Sequence, residues 1–407
     1  MVTLNTAELA MKNVYLNVLP EQIKLAANPF YSKIKQTSND IYGKEVVKLA
    51  PFGVNGGFAA GGETDPLPVA GNKNFAQIRS TLKNLYGTFQ ISDKAVRSSS
   101  NNIANFVNLL SEEMEALVKS CVFNLNRMLY SDGEGLLTTI KSSNQITVTV
   151  DNIGALVEGM YVDYYNNSGV KVNTEPYLIT RVNRLEKTFK YEKGNNTSYI
   201  GSSGRLYVQN SKDNELTGLV RIFSSADLLY GISRSANSWA QPYEKYCSDG
   251  EISDILIQEA LDFLEDYADS KINFITTSSN MRRAYQQYLN VYRKNVDVVE
   301  IENGYKAITH NGIPIYADKF VESGMVYLLN TDDFVLHQLG DWQWMEDEAG
   351  HVLRQNPGYP TYTGTLTKYA ELICNKPMGQ GRLTGLVTTI DDPYKTYIPP
   401  ETETASV

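Results

Sequence analysis

A glycine- and proline-rich stretch, PFGVNGGFAAGGETDPLPVAG (residues 51–71), constrains the fold of this 407-residue chain more than any other segment. It contains six glycines and three prolines, and strand-like sequence flanks it: KEVVKLA (44–50) before and NFAQIRSTLKNLYGTFQIS (74–92) after. Glycine reaches backbone conformations that other residues avoid, so such a stretch can bend at low cost. We therefore predict two extended arms joined by a compliant tip.

The second arm alternates like a strand but carries polar residues on both faces. One face holds Ile78, Ser80 and Leu82, and the other holds Arg79, Thr81 and Lys83. At ~3.3 Å per residue, such arms could reach on the order of 50 Å. A hairpin of that length is unstable alone and must lie on another surface. We expect a projecting arm; the alternative is an ordinary hairpin inside a globular sheet.

The glycines do not match a nucleotide-binding motif. A P-loop requires GxxxxGK[ST], whereas Gly62 is followed by Glu63, Thr64 and Asp65, and carboxylates there would repel phosphate. The GxGxxG spacing of a dinucleotide site is absent from the stretch as well.

The net charge is mildly acidic, because 37 Lys and Arg stand against 46 Asp and Glu to give −9. This balance disfavours a protein whose main task is to grip nucleic acid or an anionic membrane surface. No run approaches the ~20 apolar residues of a membrane helix, and the N-terminus lacks the pattern of a signal peptide. We expect the chain to be made and folded in the cytosol.

No convincing catalytic or metal-binding constellation is present. His310 precedes an Asn-Gly turn and is expected to flank it, and His337 is the second of the three histidines. Glu348 and His351 form one ExxH pair, where di-metal bundles need two. There is no GxSxG elbow. Cys121, Cys247 and Cys374 form no CxxC pair and are expected to be buried, reduced thiols. We therefore predict no catalytic, cofactor-binding or metal-binding residues and no cofactor.

A long amphipathic helix follows the arms. SSSNN (98–102) supplies N-cap chemistry, apolar residues then recur at three- and four-residue spacing to about Tyr130, and SDGEG ends the pattern. Short strand candidates fill 141–225 and predict an all-β module, either a sandwich or a barrel. From Ser248 onward the pattern is α/β, with a type I′ hairpin turn at Asn311-Gly312. The tail from Asp391 is rich in Pro and Thr and is expected to be an extended or disordered arm.

Five segments in this order carry a family resemblance: LKNLYGTFQISDKAVRSS, NLNRMLYSDGEGLL, INFITTSSNMRRAYQQYL, ITHNGIPIYAD and KYAELICNKPMGQGRL. Together they resemble the major capsid protein of tailed bacteriophages with the HK97 fold. The resemblance implies an α+β fold with an N-terminal arm (1–42), an extended E-loop (43–94), a peripheral P-domain with its spine helix (95–140), an inserted all-β module (141–225), a P-domain connection (226–245), an axial A-domain (246–330), P-domain return strands (331–390) and a C-terminal tail (391–407).

The resemblance also implies a function: a non-enzymatic virion protein that assembles into pentamers and hexamers around phage DNA. Its E-loop candidates for subunit contact are Gly56, Gly57, Gly61, Gly62, Glu63, Asp65, Arg79 and Lys83. Some relatives fuse a scaffolding segment before the N-arm, for which this sequence has no room, so we predict a separate scaffolding protein. A portal and a decoration protein are further expected partners, packaged double-stranded DNA is contacted only non-specifically, and no membrane is involved.

Some relatives weld their subunits through a Lys–Asn isopeptide bond. Lys73, Lys83, Asn356 and Asn375 are the residues of the right type, but none can be matched to that crosslink. Three other functions stay open from sequence: an encapsulin-like compartment shell, an enzyme with a site between the β-module and the α/β domain, and a phage structural protein that binds sugar through the β-module.

Overall fold

The computed structural model describes residues 28–64, 66–94, 103–292, 298–301, 305–348 and 350–387. The expected C-terminal tail, the helix cap at 98–102 and most of the expected N-arm lie outside these residues. The chain divides into two compact units. The first takes in the described parts of Met1–Asp132, Glu215–Pro242 and Asn330–Gly379, and the second takes in those of Gly133–Asn214, Tyr243–Leu329 and Gln380–Val407.

The helices of the described residues are α1 Pro29–Lys33, α2 Ile103–Leu129, α3 Leu219–Ile222, α4 Asp254–Ala268 and α5 Ser279–Tyr292. Within the described chain, no helix is both long enough and apolar enough to cross a membrane.

The strands are β1 Lys35–Thr37, β2 Ile41–Tyr42, β3 Glu45–Phe52, β4 Asn74–Thr81, β5 Lys83–Ser92, β6 Leu136–Asn144, β7 Thr147–Val150, β8 Tyr161–Tyr165, β9 Tyr177–Asn183, β10 Thr188–Glu192, β11 Gly204–Val208, β12 Leu228–Leu229, β13 Ile232–Ser233, β14 Tyr243–Tyr246, β15 Phe274–Thr277, β16 Val298–Ile301, β17 Tyr305–His310, β18 Ile313–Ala317, β19 Val326–Leu329, β20 Phe334–Gln338, β21 Gln343–Trp344, β22 Arg354–Gln355, β23 Thr361–Cys374 and β24 Gly381–Thr384.

The first unit is organised around β23, whose 14 residues pair along both sides. β5 pairs antiparallel with one side, from Ser92 opposite Thr361 to Lys83 opposite Ala370. β20, β21 and β22 pair antiparallel with the other side, and β1 adds parallel to β20. A late strand in the sequence is therefore the centre of this sheet.

Strand β5 falls within the expected E-loop of 43–94 but pairs with β23 in the central sheet. Leu85, Phe89 and Ile91 are buried, while the residues between them are exposed. The alternating polar residues thus mark one wet face of a sheet strand and not an arm that is wet on both sides. The projecting part is the hairpin of β3 and β4 alone.

Helix α2 packs against β5, as its apolar spacing suggested. Met114, Val118, Leu125 and Leu129 are buried along one stripe. A Cβ placed on Gly87 of β5 would lie 2.8 Å from Cys121 Sγ and 3.0 Å from Leu117 Cδ1. Glycine at this position therefore allows the helix and the strand to come close.

The second unit contains a closed barrel with the strand order β10-β7-β6-β11-β8-β9. Its interior is apolar and holds, among others, Val148, Val150, Leu156, Phe189 and Leu206. The barrel is the second of the two forms that the sequence left open. Its strands run from Leu136 to Val208 and not from 141 to 225, because Leu219–Ile222 forms α3 in the first unit.

The second unit also contains a seven-stranded sheet with the order β14-β24-β19-β15-β18-β17-β16. Helices α4 and α5 share one core with it, through residues such as Leu264, Leu289, Ile275 and Leu328. Asn311 and Gly312 have φ values of +49° and +82°, which fits the predicted type I′ turn between β17 and β18.

Strand β24 joins the sheet of the second unit. Residues 331–390 were expected to return to the P-domain, but Gly381–Thr384 lies between β14 and β19 in the seven-stranded sheet. The pairing partners of such a short strand are more than 50 residues away, so its own sequence does not indicate which sheet it joins.

Candidate assembly surface

The projecting hairpin consists of β3 and β4, which pair from Glu45 opposite Thr81 to Phe52 opposite Asn74. Eight-residue strands span roughly 26 Å at ~3.3 Å per residue, about half the reach expected from the sequence. The shorter length follows from the assignment of Lys83–Ser92 to the central sheet.

The inner face of the hairpin rests on its own subunit. Val46, Ala50 and Ile78 are buried. The Arg79 N–H donates to the Tyr230 carbonyl at 3.0 Å. The Phe52 ring stacks on Trp239 with 5.1 Å between centroids. At its base, the surface on which the hairpin lies therefore belongs to its own subunit.

The outer face and the tip of the hairpin are apolar and exposed. Leu49 and Phe75 on the strands are 61% and 56% exposed. The residues of the tip are still more exposed: Val54 85%, Phe58 93%, Leu67 90% and Val69 88%. Monomeric proteins seldom expose several large apolar side chains close together, and such patches mark interaction surfaces.

The tip is the segment between β3 and β4 (residues 53–73), and Gly57 and Gly71 come close together at the neck of its loop. A Cβ on Gly71 would lie 2.6 Å from the Gly57 nitrogen, and one on Gly57 would lie 2.9 Å from the Gly71 nitrogen. The Asn55 side-chain oxygen accepts from the Gly57 N–H at 2.9 Å. Both neck positions require glycine, because a side chain at either one would clash with the backbone of the other strand of the loop. The close neck makes the loop compact, and its apolar side chains are exposed.

The structure brings five of the eight predicted contact residues into this tip. Gly56, Gly61, Gly62 and Glu63 are exposed, and Gly57 is half-buried in the neck. Asp65 lies outside the described residues.

The other two predicted contact residues lie away from the tip. Arg79 is on β4, 3.8 Å from Glu45, in an exposed ion pair that contributes little stability. Lys83 begins β5 and belongs to the central sheet.

The sequence analysis missed the apolar residues of the tip. Phe58, Leu67 and Val69 stand singly among glycines and prolines, so no periodic pattern marks them. The available signal was chemical: large apolar side chains in a stretch too rich in glycine and proline to bury them.

Among the described residues of the first unit, one carboxylate has a strongly raised pKa, and its side chain is inaccessible to solvent. Burial raises the pKa of Glu371 to about 7, although the Thr217 and Leu372 N–H groups donate to its Oε1 at 2.9 and 3.1 Å. Its side chain on β23 has no exposed surface. A carboxyl group without exposed surface cannot contact a substrate, so Glu371 does not support the alternative that the protein is an enzyme.

The histidines take structural positions. His310 is buried and lies 3.0 Å from the Tyr285 hydroxyl and 3.1 Å from Gln258. His337 is buried, with Nδ1 2.9 Å from the Asn39 carbonyl, and burial lowers its pKa. Across the residues that the structure describes, no cluster of three or more His, Cys, Asp or Glu could hold a metal ion.

Burial and hydrogen bonding constrain the cysteines and one crosslink candidate, Asn356. Cys374 is buried, Cys121 and Cys247 are partly buried, and burial raises the pKa of the Cys121 thiol to about 12. The Asn356 amide is engaged by Thr361 and Thr363 at 3.0 Å each. An isopeptide crosslink through Lys73, Lys83, Asn356 or Asn375 stays untested.

Comparison with known proteins identifies the fold. No protein-family model and no curated protein sequence matches the chain. Among solved structures, the chain is similar to the cyanophage A-1(L) capsid asymmetric unit, with a TM-score of 0.53 at 12% identity over 92% of this chain and 94% of that chain.

Two further solved structures are also similar. The holo-SrpI encapsulin complex from Synechococcus elongatus PCC 7942 has a TM-score of 0.46 at 10% identity over 91% of each chain. The capsid of a native GTA particle has a TM-score of 0.43 at 9% identity over 88% of this chain and 89% of that chain. TM-scores below 0.5 do not bear on the fold. The cyanophage likeness spans nearly the whole chain, and the α+β fold of the HK97 type that the sequence resemblance implied is thereby confirmed.

Proposed function

We propose that this protein is the major shell subunit of a phage head, which assembles into pentamers and hexamers and has no enzymatic activity. The observation that carries the proposal is the likeness to a phage capsid subunit over 92% of the chain. The exposed apolar tip supports it, because this surface is explained by a neighbouring copy that covers it.

The hairpin suits a subunit that must make one contact at several angles. Its base is fixed by Tyr230 and Trp239, while its tip presents Phe58, Leu67 and Val69 beyond a glycine neck. Burying one large apolar side chain contributes about 1.5–3 kcal/mol. A few such contacts are weak singly, but closed symmetry repeats them at every subunit.

The expected partners belong to the same proposal. We infer a separate scaffolding protein, a portal and a decoration protein, with assembly in the cytoplasm of a bacterial host. The net charge of −9 suits a wall that does not hold packaged DNA tightly. Strongly salt-dependent DNA binding by the purified subunit would contradict this.

The tip gives the sharpest test. Wild-type protein and the variant Phe58→Ser/Leu67→Ser/Val69→Ser are expressed with a scaffolding protein and examined by sedimentation and electron microscopy. We expect rings and shells from the wild type, and from the variant a monomer with an unchanged melting temperature. Ile146→Ser/Val170→Ser removes two exposed apolar side chains from the barrel and serves as the matched control.

Two results would contradict the proposal. One is a wild-type protein that stays monomeric at every concentration, and the other is a tip variant that assembles like the control. Recovered shells that enclose an enzyme and no DNA would favour the encapsulin-like alternative.

A further inference from the structure

A second exposed aromatic surface lies in the second unit, on helix α4 and strand β14. Tyr243 stacks on Phe263 with 4.4 Å between centroids, and Phe263 stacks on Tyr267 at 5.3 Å. Phe263 is 42% exposed, and Tyr267 and Tyr246 are each 65% exposed. We call the three stacked rings, Tyr243, Phe263 and Tyr267, the aromatic ladder, while Tyr246 lies on the opposite face of β14. None of them belongs to the hairpin described above.

The ladder adjoins an open sheet edge. β14 stands at the end of the seven-stranded sheet and, among the described strands, pairs only with β24. The N–H groups of Tyr243 and Cys247 donate to the Gln380 and Thr384 carbonyls. In a parallel ladder, alternate residues turn their backbone groups away from the partner strand, so those of Tyr246 face outward. Exposed aromatic rings beside an unpaired edge are typical of a protein interface.

Charge decides what kind of partner fits. Helix α4 (DILIQEALDFLEDYA) contains five acidic residues and no basic one. Helix α5 (SNMRRAYQQYLNVY) contains Arg282 and Arg283 and no acidic residue. A contact between two copies of α4 would place like charges together, which is unfavourable, whereas α4 against α5 pairs opposite charges.

The outer side of α5 has features that match the ladder. Met281, Tyr285 and Leu289 are buried toward the sheet, which leaves Gln287 and Val291 exposed on the other side. Val291 is 69% exposed and offers an apolar contact.

We propose that the α4–β14 surface binds helix α5 of a second copy of this chain, head to tail. This rests on the proposed shell function and names the surfaces that join adjacent subunits in one ring. The contact uses a different patch on each partner, so repetition by rotation closes a ring. The ladder supplies the apolar centre, and the carboxylates around it select the arginine-bearing helix.

Crosslinking tests the pairing directly. One chain carries Tyr267→Cys, an isotope-labelled chain carries Gln287→Cys, and the two are mixed, assembled and treated with a short bis-maleimide. We expect the dominant crosslinked species to join one chain of each kind through these two positions. Crosslinks of the Tyr267→Cys chain to itself, or none above the level given by Glu186→Cys on the barrel, would overturn the proposal.

Charge reversal gives an independent readout. Asp262→Lys/Asp266→Lys should raise the concentration needed for ring formation at least tenfold, and Arg282→Glu/Arg283→Glu in the same chain should restore part of the loss. Glu186→Lys/Glu192→Lys on the exposed face of the barrel is the matched control. Melting temperatures identify any variant that fails to fold, and for such a variant the crosslinking result decides.

The outcomes separate the two proposals. If the wild type assembles and the Asp262/Asp266 variant assembles equally well, this interface is wrong and the shell function stands. If the wild type never assembles, both proposals fail.

Discussion

At the scale of single residues, a buried ion pair holds the first unit together across a long gap in sequence. Arg127 on α2 and Glu215 are 4% and 1% exposed, and Arg127 Nη1 donates to Glu215 Oε2 at 2.9 Å. The second guanidinium nitrogen contacts the other carboxylate oxygen, so the contact is bidentate. The barrel strands lie between these two residues in the sequence. The ion pair therefore connects the segment that precedes the barrel with the segment that follows it.

Removing one partner should be costly. Arg127→Ala leaves the Glu215 carboxylate buried and uncompensated, and we expect it to lower the free energy of unfolding by about 3–5 kcal/mol. Urea denaturation followed by tryptophan fluorescence measures this, since the three tryptophans are all in the first unit. The double variant Arg127→Met/Glu215→Leu should be clearly more stable than Arg127→Ala. Equal losses of unfolding free energy in the two variants would show that the uncompensated Glu215 charge does not destabilise the protein.

The Glu371 carboxyl should make stability depend on pH. Its pKa rises from 4.5 to about 7 on folding, so the stability that its neutral form contributes is complete below pH 4.5 and is lost as the pH rises toward 7. The loss is at most about 1.4 kcal/mol per pH unit. Glu371→Gln does not titrate, so wild-type stability relative to this variant should fall between pH 4.5 and 7.

Urea unfolding of both proteins across that range is the measurement. Glu63→Gln in the exposed tip is the control and should follow the wild-type curve at every pH. Parallel curves for wild type and Glu371→Gln would contradict a raised pKa.

At the scale of elements, the contact between α2 and β5 depends on one missing side chain. A Cβ at Gly87 would come within 2.8 Å of Cys121 Sγ. We expect Gly87→Val to separate the helix from the strand and to destabilise the protein by about 1–3 kcal/mol. Thr88→Val changes the neighbouring, exposed position and should be nearly neutral. Thermal denaturation compares the two variants, and similar melting temperatures would refute the packing argument.

The elements that the sequence predicted well are those with local signals. α2 carries its own apolar stripe up to Leu129. The two residues Asn311 and Gly312 are enough to predict the turn that connects β17 and β18. The sequence did not indicate which sheets β5 and β24 join, because each strand depends on partners far along the chain. These partners are β23 for β5, and β14 and β19 for β24. Period-two alternation shows that a strand has a buried face but not which sheet buries it.

In the candidate assembly surface, too, features with a local sequence signal were predicted and features that depend on distant contacts were not. The glycines of the tip were predicted because their backbone role is visible in sequence. The neck contact between Gly57 and Gly71 and the exposure of Phe58 and Leu67 were not, because both depend on the loop folding back on itself. The aromatic ladder was not predicted either, because Tyr243 precedes Phe263 by 20 residues and lies on a different element.

At the scale of the whole molecule, the barrel has the properties of an independent domain. Its interior is a core of its own, and the Asp213 N–H donates to the Glu134 carbonyl at 3.0 Å, which brings the two ends of the segment together. We expect residues 133–214 expressed alone to fold, with dispersed NMR amide signals and one cooperative melting transition. Leu206→Asp, which places a charge in the barrel interior, should abolish both. An unfolded wild-type fragment would contradict domain independence.

The central position of β23 and β24 has a consequence for biosynthesis. The first sheet is assembled around residues 361–374, and the second cannot close between β14 and β19 before residues 381–384 are available. While these residues are still inside the ribosome, the exposed nascent chain holds two sheets that lack an interior strand, with apolar surface uncovered. Neither sheet can therefore be completed before residues 361–384 have left the ribosome, and until then the uncovered apolar surface makes the nascent chain prone to aggregation.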